Sequence, residues 1–176
     1  MRLFYALMPS DRIIEALQPL MQGVSAARWQ TARQLHLTLR FVGDVSGRVA
    51  DDLADSLPAH VAAVPPVALS GVGFFEANKR PNALWVRATP REPLAQLHRK
   101  MDRACQDAGL EPERRAYIPH ITVARLPRSA GPIESWVEDN AGFTTEPMRF
   151  ARCSLVESIL TEDGSHYEEL AWVTLR

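Results

Sequence analysis

Two segments of the chain, HLTLRFV at residues 36–42 and HITVARL at residues 120–126, share one polar pattern inside an apolar run. Each segment places a histidine two residues before a threonine. Because the side chains of a β-strand alternate between its faces, His36 and Thr38 share a face of one strand, and His120 and Thr122 share a face of another. The segments therefore predict two half-buried strands, each with an imidazole and a hydroxyl opposite its apolar face.

The elements around these two strands also repeat. A strand at 3–8 and an amphipathic helix at 10–22 precede the first His-x-Thr strand, and a strand at 83–89 and a helix at 90–108 precede the second. The remaining predicted elements are helices at 46–61 and 132–139, a strand at 67–76 that pairs with 83–89, and a final hairpin whose turn is Glu162–Ser165. This order predicts an α+β fold formed by a bilobal, pseudo-symmetric duplication, with two antiparallel sheets flanking a central cleft and the helices outside. We expect a single domain over 1–176, in which each lobe contributes one His-x-Thr strand.

Composition narrows the classes of protein that fit. With 46% apolar and 23% charged residues, the chain is typical of a soluble globular protein. Lys and Arg number 20 against 21 for Asp and Glu, so binding to nucleic acid through overall basicity is excluded, whereas a local cationic cleft is not. The cysteines, Cys105 and Cys153, form no Cys-x-x-Cys pair and are interpreted as small buried apolar residues, which favours a reducing compartment. No apolar run is long enough to span a membrane, and we expect the cytoplasm as the compartment. The small size and near-neutral charge favour a monomer without an obligate protein partner.

Two histidines and two hydroxyls around one cleft suit the hydrolysis of a phosphodiester. Histidine titrates near pH 6.5, about the middle of the physiological range, so one imidazole can accept a proton while the other donates one. Threonine hydroxyls can donate hydrogen bonds to the non-bridging oxygens, where negative charge accumulates. A strained 2',3'-cyclic phosphate would need no metal, and its 2'-oxygen indicates RNA ends or ribonucleotides.

Other motifs of nucleotide and metal chemistry are absent from the sequence. It has no Gly-x-x-x-x-Gly-Lys-Ser/Thr loop, no His-Glu-x-x-His and no Lys-x-Asp-Gly, so we expect neither a cofactor nor a metal. A lone histidine in a strand is usually structural, and the doubled pattern is what favours catalysis here. We interpret His60, His98 and His166 as solvated, with His166 the first of them to consider as an exception.

The chain resembles the two-histidine (2H) phosphoesterases, specifically the RNA 2',3'-cyclic phosphodiesterases first described as 2'-5' RNA ligases. The matching stretches run in the expected order over nearly the whole chain: RLFYALMP (2–9), LHLTLRFVGD (35–44), GVGFFEANKRPNALWV (71–86), YIPHITVARL (117–126) and SLVESILTEDGSHYEEL (154–170). The resemblance implies a cleft between two lobes and the hydrolysis of RNA 2',3'-cyclic phosphates to 2'-phosphomonoesters. It implies an RNA 2',3'-cyclic 3'-phosphodiesterase, with 2'-5' ligation as a secondary reverse reaction that uses no nucleotide cofactor.

The resemblance also implies roles for individual residues. His36 would be the proton donor and His120 the proton acceptor, with Thr38 and Thr122 binding the phosphate. Arg125 would add a phosphate-binding charge, although strand parity places it on the opposite face from His120 unless a bulge turns it. Phe41 has the same parity problem: the resemblance offers it as a base-stacking platform, and its parity favours packing in the core.

Two other classes of function remain open at this stage. One is a nucleotide-binding module that uses the same cleft without turnover. The other is a different 2H reaction, on cyclic nucleotides, on ADP-ribose cyclic phosphate or in the trimming of RNA 3' ends. The sequence between the two motifs does not separate these from the leading interpretation.

Overall fold

The structure, a computed structural model, describes residues 1–61, 63–162 and 164–175. Eight strands lie in this part of the chain: β1 (Arg2–Met8), β2 (Arg28–Trp29), β3 (Leu37–Asp44), β4 (Ala68–Ala77), β5 (Arg80–Thr89), β6 (His120–Arg125), β7 (Arg152–Thr161) and β8 (Gly164–Thr174). It also contains four α-helices, α1 (Asp11–Leu17), α2 (Gly47–His60), α3 (Arg91–Asp107) and α4 (Glu134–Asn140), and a 3₁₀ turn at Gln18–Leu20. Asp163, in the predicted turn Glu162–Ser165, lies outside the described residues.

The strands form one antiparallel sheet in the order β4-β5-β6-β3-β1-β7-β8, with β2 also paired to β6. The sheet has a narrow centre, because β3 and β6 are joined by the single pair Leu37 and Ile121. The two predicted sheets are thus the halves of one sheet. Outward from the centre, one half runs β6, β5, β4 and the other runs β3, β1, β7, so the strands before each His-x-Thr strand occupy corresponding places. The two-fold relation of the halves remains a prediction.

Apolar side chains on one face of the sheet form the main core. On β1, Leu3, Tyr5 and Leu7 are fully buried on this face, as the alternation of strand side chains requires. Helix α2 packs against α3, β7 and β8, and α3 packs against β3, so the helices cover this face as predicted. The side chains of His36 and His120 lie on the opposite face of the sheet.

Local sequence signals explain where the helices begin. Helix α2 follows Ser46, whose hydroxyl accepts a hydrogen bond from the Val49 amide at 3.4 Å, a common N-cap arrangement. Its buried residues, Ala50, Leu53 and Leu57, recur at helical spacing. Within residues 1–61, 63–162 and 164–175, none of the helices has the length and apolar character needed to cross a bilayer.

Candidate active site

The register of β3 and β6 brings both His-x-Thr motifs onto one surface. Since Leu37 pairs with Ile121 in an antiparallel ladder, His36 lies across from Thr122, and Thr38 lies across from His120. Side chains of residues opposite each other in such a pair point the same way, with Cβ atoms about 5 Å apart. The structure therefore places the two imidazoles and the two hydroxyls in one cluster at the centre of the sheet. We call the side of the sheet that bears this cluster the cleft face.

Each imidazole is held by a hydrogen bond of the same kind, from its Nδ1 to the main-chain carbonyl two residues earlier. Nδ1 of His36 lies 2.7 Å from the carbonyl oxygen of Gln34, and Nδ1 of His120 lies 2.6 Å from that of Ile118. A carbonyl oxygen can only accept, so each Nδ1 carries the proton and donates it. In the neutral form each ring then has its bare nitrogen at Nε2, which is left to accept or donate a proton at a substrate.

Aromatic rings surround His36. The ring centroid of Phe4 lies 4.8 Å away, and that of Tyr167 lies 5.1 Å away in an edge-on arrangement. Burial is the main cause that lowers the pKa of His36 to about 4, and the positive charges of Arg125 and His120 lower it further. In the free protein His36 is therefore neutral at pH 7.

His120 has its own pair of aromatic neighbours. Phe75 presents its ring edge-on at 4.9 Å, and Trp85 lies at 5.9 Å. Burial again lowers the pKa, and the charge of Arg125 lowers it further. Burial and the charge of Arg125 act on both imidazoles. A protonated imidazole would place a second positive charge near Arg125, so the site disfavours it until an anion binds.

A bulge in β3 turns Phe41 onto the cleft face. Besides a shift at Val42, the β1–β3 register skips one residue between Arg40 and Thr38, as the pairs show: Phe4 with Phe41, Tyr5 with Arg40, and Ala6 with Thr38. The extra residue is Leu39, and it shifts the side-chain alternation by one position. Phe41 accordingly packs against the small apolar cluster of the cleft face, beside Phe4, and not in the core beneath the helices. The expectation from parity that Phe41 points away from the histidines, into the main core, is wrong, because parity holds only in a strand without a bulge.

Side chains from α3 and from the loop that follows it support this bulge. Tyr117 donates its hydroxyl to the Thr38 carbonyl at 3.3 Å, and Nδ1 of His98 donates to the Leu39 carbonyl at 2.6 Å. His98 also stacks on Tyr117, with ring centroids 4.3 Å apart. His98 is thus half-buried and bonded, and the expectation that it is solvated is wrong: although it lies off the apolar stripe of α3, it points at the bulged strand.

Arg40 also supports the bulged strand, from the helix side of the sheet. The bulge turns its side chain toward α3, where it is 7% exposed. There Nε donates to Asp102 at 2.6 Å, one guanidinium nitrogen donates to the Glu111 carbonyl at 2.6 Å, and the other donates to the carbonyl of Phe41. The arginine therefore ties β3 both to α3 and to the loop that leads into β6.

A second bulge, at the corresponding place in β6, turns Arg125 onto the cleft face. The β5–β6 register pairs Trp85 with Thr122 and Leu84 with Ala124, so Val123 is the extra residue. Arg125 then pairs with Ala83, on the same face as Trp85. The influence of Arg125 on the pKa of both histidines agrees with this placement.

A cavity of about 570 Å³ extends along the cleft face from the histidine cluster. Its lining includes Thr38, Phe41, His120 and two residues that the sequence did not single out, Tyr117 and Arg2. The Arg2 guanidinium lies over the Phe41 ring, 5.1 Å from its centroid. A larger cavity, of about 720 Å³, lies between the β4–β5 turn and the loop before α4, and it contains none of the predicted site residues.

The other predicted residues have simpler outcomes. His166 is exposed, with Nε2 3.7 Å from a carboxylate oxygen of Glu168, as expected of a solvated residue. His60 ends α2 and is half-buried. Cys105 and Cys153 are buried free thiols, as predicted. In the part of the chain that the structure describes, no three His, Cys, Asp or Glu side chains are grouped so as to hold a metal ion.

Comparisons with known proteins identify the family of this chain. The family model described as the 2'-5' RNA ligase superfamily matches residues 8–157. A Thermotoga maritima protein named RNA 2',3'-cyclic phosphodiesterase is 26% identical, covering 97% of this chain and 93% of the relative. An Aeropyrum pernix protein of the same name is 28% identical, covering 77% and 78%.

Solved structures show the same fold. TT0787 of Thermus thermophilus superposes with a TM-score of 0.73 at 25% identity, covering 100% of this chain and 98% of that one. The apo form of E. coli LigT gives a TM-score of 0.68 at 25% identity, covering 99% and 96%. An α+β fold with paired His-x-Thr strands facing one cleft defines a two-histidine phosphoesterase. The chain belongs to the 2'-5' RNA ligase superfamily, and it is an enzyme of that class.

Proposed function

We propose that this protein hydrolyses the 2',3'-cyclic phosphate at the end of an RNA to a 2'-phosphomonoester, without a metal ion, by proton transfer through His36 and His120. The observation that carries the proposal is the matched pair of imidazoles, each fixed through Nδ1 and each leaving Nε2 for the substrate. The names of the relatives from Thermotoga maritima and Aeropyrum pernix support the choice of substrate.

The reaction needs one proton taken and one proton given at opposite sides of phosphorus. Nε2 of His120 accepts a proton from water as the water oxygen bonds to phosphorus. The bond from phosphorus to the 3'-oxygen breaks, and protonated His36 gives its Nε2 proton to that oxygen. At the end His120 is protonated by the proton from water and His36 is neutral, its proton having gone to the 3'-oxygen; exchange with solvent restores the starting state.

The arriving phosphate supplies the electrostatic condition for this cycle. With a pKa of about 4, His36 is neutral at pH 7 in the free protein and cannot serve as an acid. A phosphate anion against the two imidazoles favours a positive charge there and raises their pKa values. One proton can then reside at the site together with the substrate, which couples binding to the active protonation state.

Hydroxyls and a guanidinium bind the phosphate in this account. Thr38 and Thr122 lie across from the histidines and donate hydrogen bonds to the non-bridging oxygens. Arg125, on the same face, neutralises the charge that grows in the transition state. Its exposed position leaves it free to follow the phosphate.

The terminal nucleoside lies in the cavity beside Phe41. That cavity, of about 570 Å³, is within the size range of small-molecule sites. Phe41 offers an aromatic face on which any base can stack. One domain over 1–176 carries the whole site in this proposal, acting as a monomer. Ring opening by a 5'-hydroxyl in place of water would give the reverse 2'-5' ligation as a minor reaction.

The test is an analysis of the product formed from an RNA with a cyclic phosphate end. The RNA is incubated with purified protein in EDTA, and the terminus is identified by chromatography against 2'- and 3'-phosphate standards. We expect the 2'-phosphate, at an undiminished rate in EDTA. A 3'-phosphate, a requirement for metal, or tight binding without turnover would each contradict the proposal, the last in favour of a nucleotide-binding module.

A further inference from the structure

A second arginine lies beside Arg125 on the cleft face. The two-residue strand β2 pairs with the end of β6, with Arg28 across from Arg125 and Trp29 across from Ala124. Trp29 packs against the main core, so Arg28, its neighbour in an alternating strand, points to the cleft face. The Gln30 amide donates to the Val123 carbonyl at 2.9 Å and secures the pairing next to the bulge.

This pair of like charges costs stability and has no internal compensation. Like charges directly opposite in an antiparallel pair are destabilising. Among the described residues, no carboxylate forms an ion pair with Arg28 or with Arg125. Both side chains are exposed. The chain as a whole has a net charge of -1, so two unpaired guanidinium groups side by side are a local feature and not a consequence of general basicity. An arrangement of this kind is suited to an external anion.

The cleft face has a linear order along its strands. At one end lie Phe41 and the cavity, the histidines and threonines follow, and Arg125 with Arg28 lie at the other end. A cyclic phosphate at the histidines and its base over Phe41 leave the rest of an RNA chain to continue toward the arginines. Because Val123 is the bulged residue, Thr122 and Arg125 pair with β5 residues that are only two positions apart, so they are separated by about 7 Å along the sheet at about 3.3 Å per residue. Extended arginine side chains cover much of that distance.

From this juxtaposition we propose that Arg28 binds the phosphodiester immediately upstream of the cyclic phosphate. The inference rests on the proposed function and defines its substrate class: the end of an oligonucleotide or longer RNA, preferred over a free nucleoside cyclic phosphate. Arg125 acts at the reacting phosphate, and Arg28 acts one nucleotide away, as a determinant of specificity.

The experiment changes only the charge of the phosphodiester upstream of the cyclic phosphate and keeps the rest of the substrate the same. Two dinucleotides ending in a 2',3'-cyclic phosphate are compared, one with an ordinary phosphodiester linkage and one with a neutral methylphosphonate linkage. Values of KM and kcat are measured for the wild type, Arg28→Ala and Arg28→Lys. Arg48→Ala serves as a matched control, because Arg48 is an exposed arginine on α2, in the helix layer.

We expect Arg28→Ala to raise KM for the charged dinucleotide about tenfold and KM for the neutral one less than about twofold, since a charge-assisted hydrogen bond of about 1.5 kcal/mol corresponds to roughly tenfold. Arg28→Lys should recover part of the loss, and Arg48→Ala should match the wild type. The salt dependence of log KM for the charged substrate should also weaken by about 0.7 in slope, as for one lost phosphate contact on a single strand.

Equal effects of Arg28→Ala on both linkages, or no effect on either, would overturn the inference. Failure of the proposed function looks different: the wild type would then hydrolyse neither dinucleotide. To test Arg28 in that case as well, the dissociation constants of the corresponding dinucleotides with a terminal 2'-phosphate are measured in the same variants, and the same difference between linkages is required.

Discussion

The two His-x-Thr strands share one backbone geometry and differ in the type of side chain that this geometry adds to the cleft face. In both, Nδ1 of the histidine donates to the carbonyl two residues earlier, and one extra residue bulges out directly after the threonine. In both, the side chain five positions after the histidine returns to the cleft face: Phe41 in β3 and Arg125 in β6. One repeated backbone device thus holds the two imidazoles in equivalent positions, and it adds an aromatic ring at one end of the cluster and a guanidinium group at the other. In the proposed function these two groups stack a base and bind a phosphate.

The two bulges also differ in how their freed carbonyl groups are satisfied. In β3 the partners are side chains, with Tyr117 and His98 bonded to the carbonyl groups of Thr38 and Leu39, and Arg40 bonded to that of Phe41. In β6 the partner is a main-chain group, since the Val123 carbonyl accepts from the Gln30 amide. The β3 half of the site should therefore be the more sensitive to substitutions in the helix layer.

The largest expected effects come from the histidines themselves. His36→Ala and His120→Ala should each lower kcat by roughly 10²–10⁴-fold, because each removes one proton-transfer group. The variants are assayed with an RNA 2',3'-cyclic phosphate, with His60→Ala as the control because His60 ends α2 in the helix layer. A loss confined to one histidine would break the equivalence of the two strands, and unchanged rates in both would remove the mechanism.

Next in size is the loss of Arg40, which tests the bracing of β3. Arg40→Met should lower the free energy of unfolding by about 3 kcal/mol, because it removes the charged partner of the half-buried Asp102 and the donor to the Glu111 carbonyl. Urea unfolding measures the loss. The matched control is Arg152→Met, whose ion pair with Glu169 is at 40% exposure of the arginine side chain and should contribute about 1 kcal/mol or less. Equal losses in the two variants would contradict the difference in bracing.

The smallest effects should separate Phe41 from Arg125. Arg125→Ala should lower kcat by about 10- to 100-fold, since charge-assisted bonds of about 1.5–3 kcal/mol form at the reacting phosphate. Phe41→Ala should instead raise KM by about tenfold, because stacking on a base contributes about 1–3 kcal/mol, and Phe41→Tyr should retain the wild-type KM. If both alanine variants changed the same kinetic parameter, the separate roles proposed for Phe41 and Arg125 would be wrong.

Much of the fold was predictable from local signals. Alternation of apolar residues in the strands, their helical spacing in the helices and the repeated order of elements indicated the α+β class, the outer helices and the shared face of His36 with Thr38. The joining of the two halves into one sheet was not predictable, because it depends on a single pair, Leu37 with Ile121, between strands far apart in sequence.

Strand alternation did not predict the faces on which Phe41 and Arg125 lie, for a related reason. Strand alternation assumes a regular ladder, and a bulge is decided by the partner strand and by groups that satisfy the freed carbonyls. For β3 these groups are His98 and Tyr117, which lie 59 and 79 residues away from the carbonyls they bind. The sequence did not indicate Arg28 as a site residue, because a two-residue strand is too short to show an alternating pattern.

The most direct test of the account is a titration of the two imidazoles by ¹⁵N NMR, with and without a 2'-mononucleotide in the site. We expect the neutral rings of His36 and His120 both to carry their proton on Nδ1, both pKa values in the free protein to lie below 6.5, and both pKa values to rise when the phosphate binds. Protons on Nε2 in the neutral rings, or a pKa that moves at only one histidine, would contradict the claim that the two imidazoles act together on one phosphorus atom.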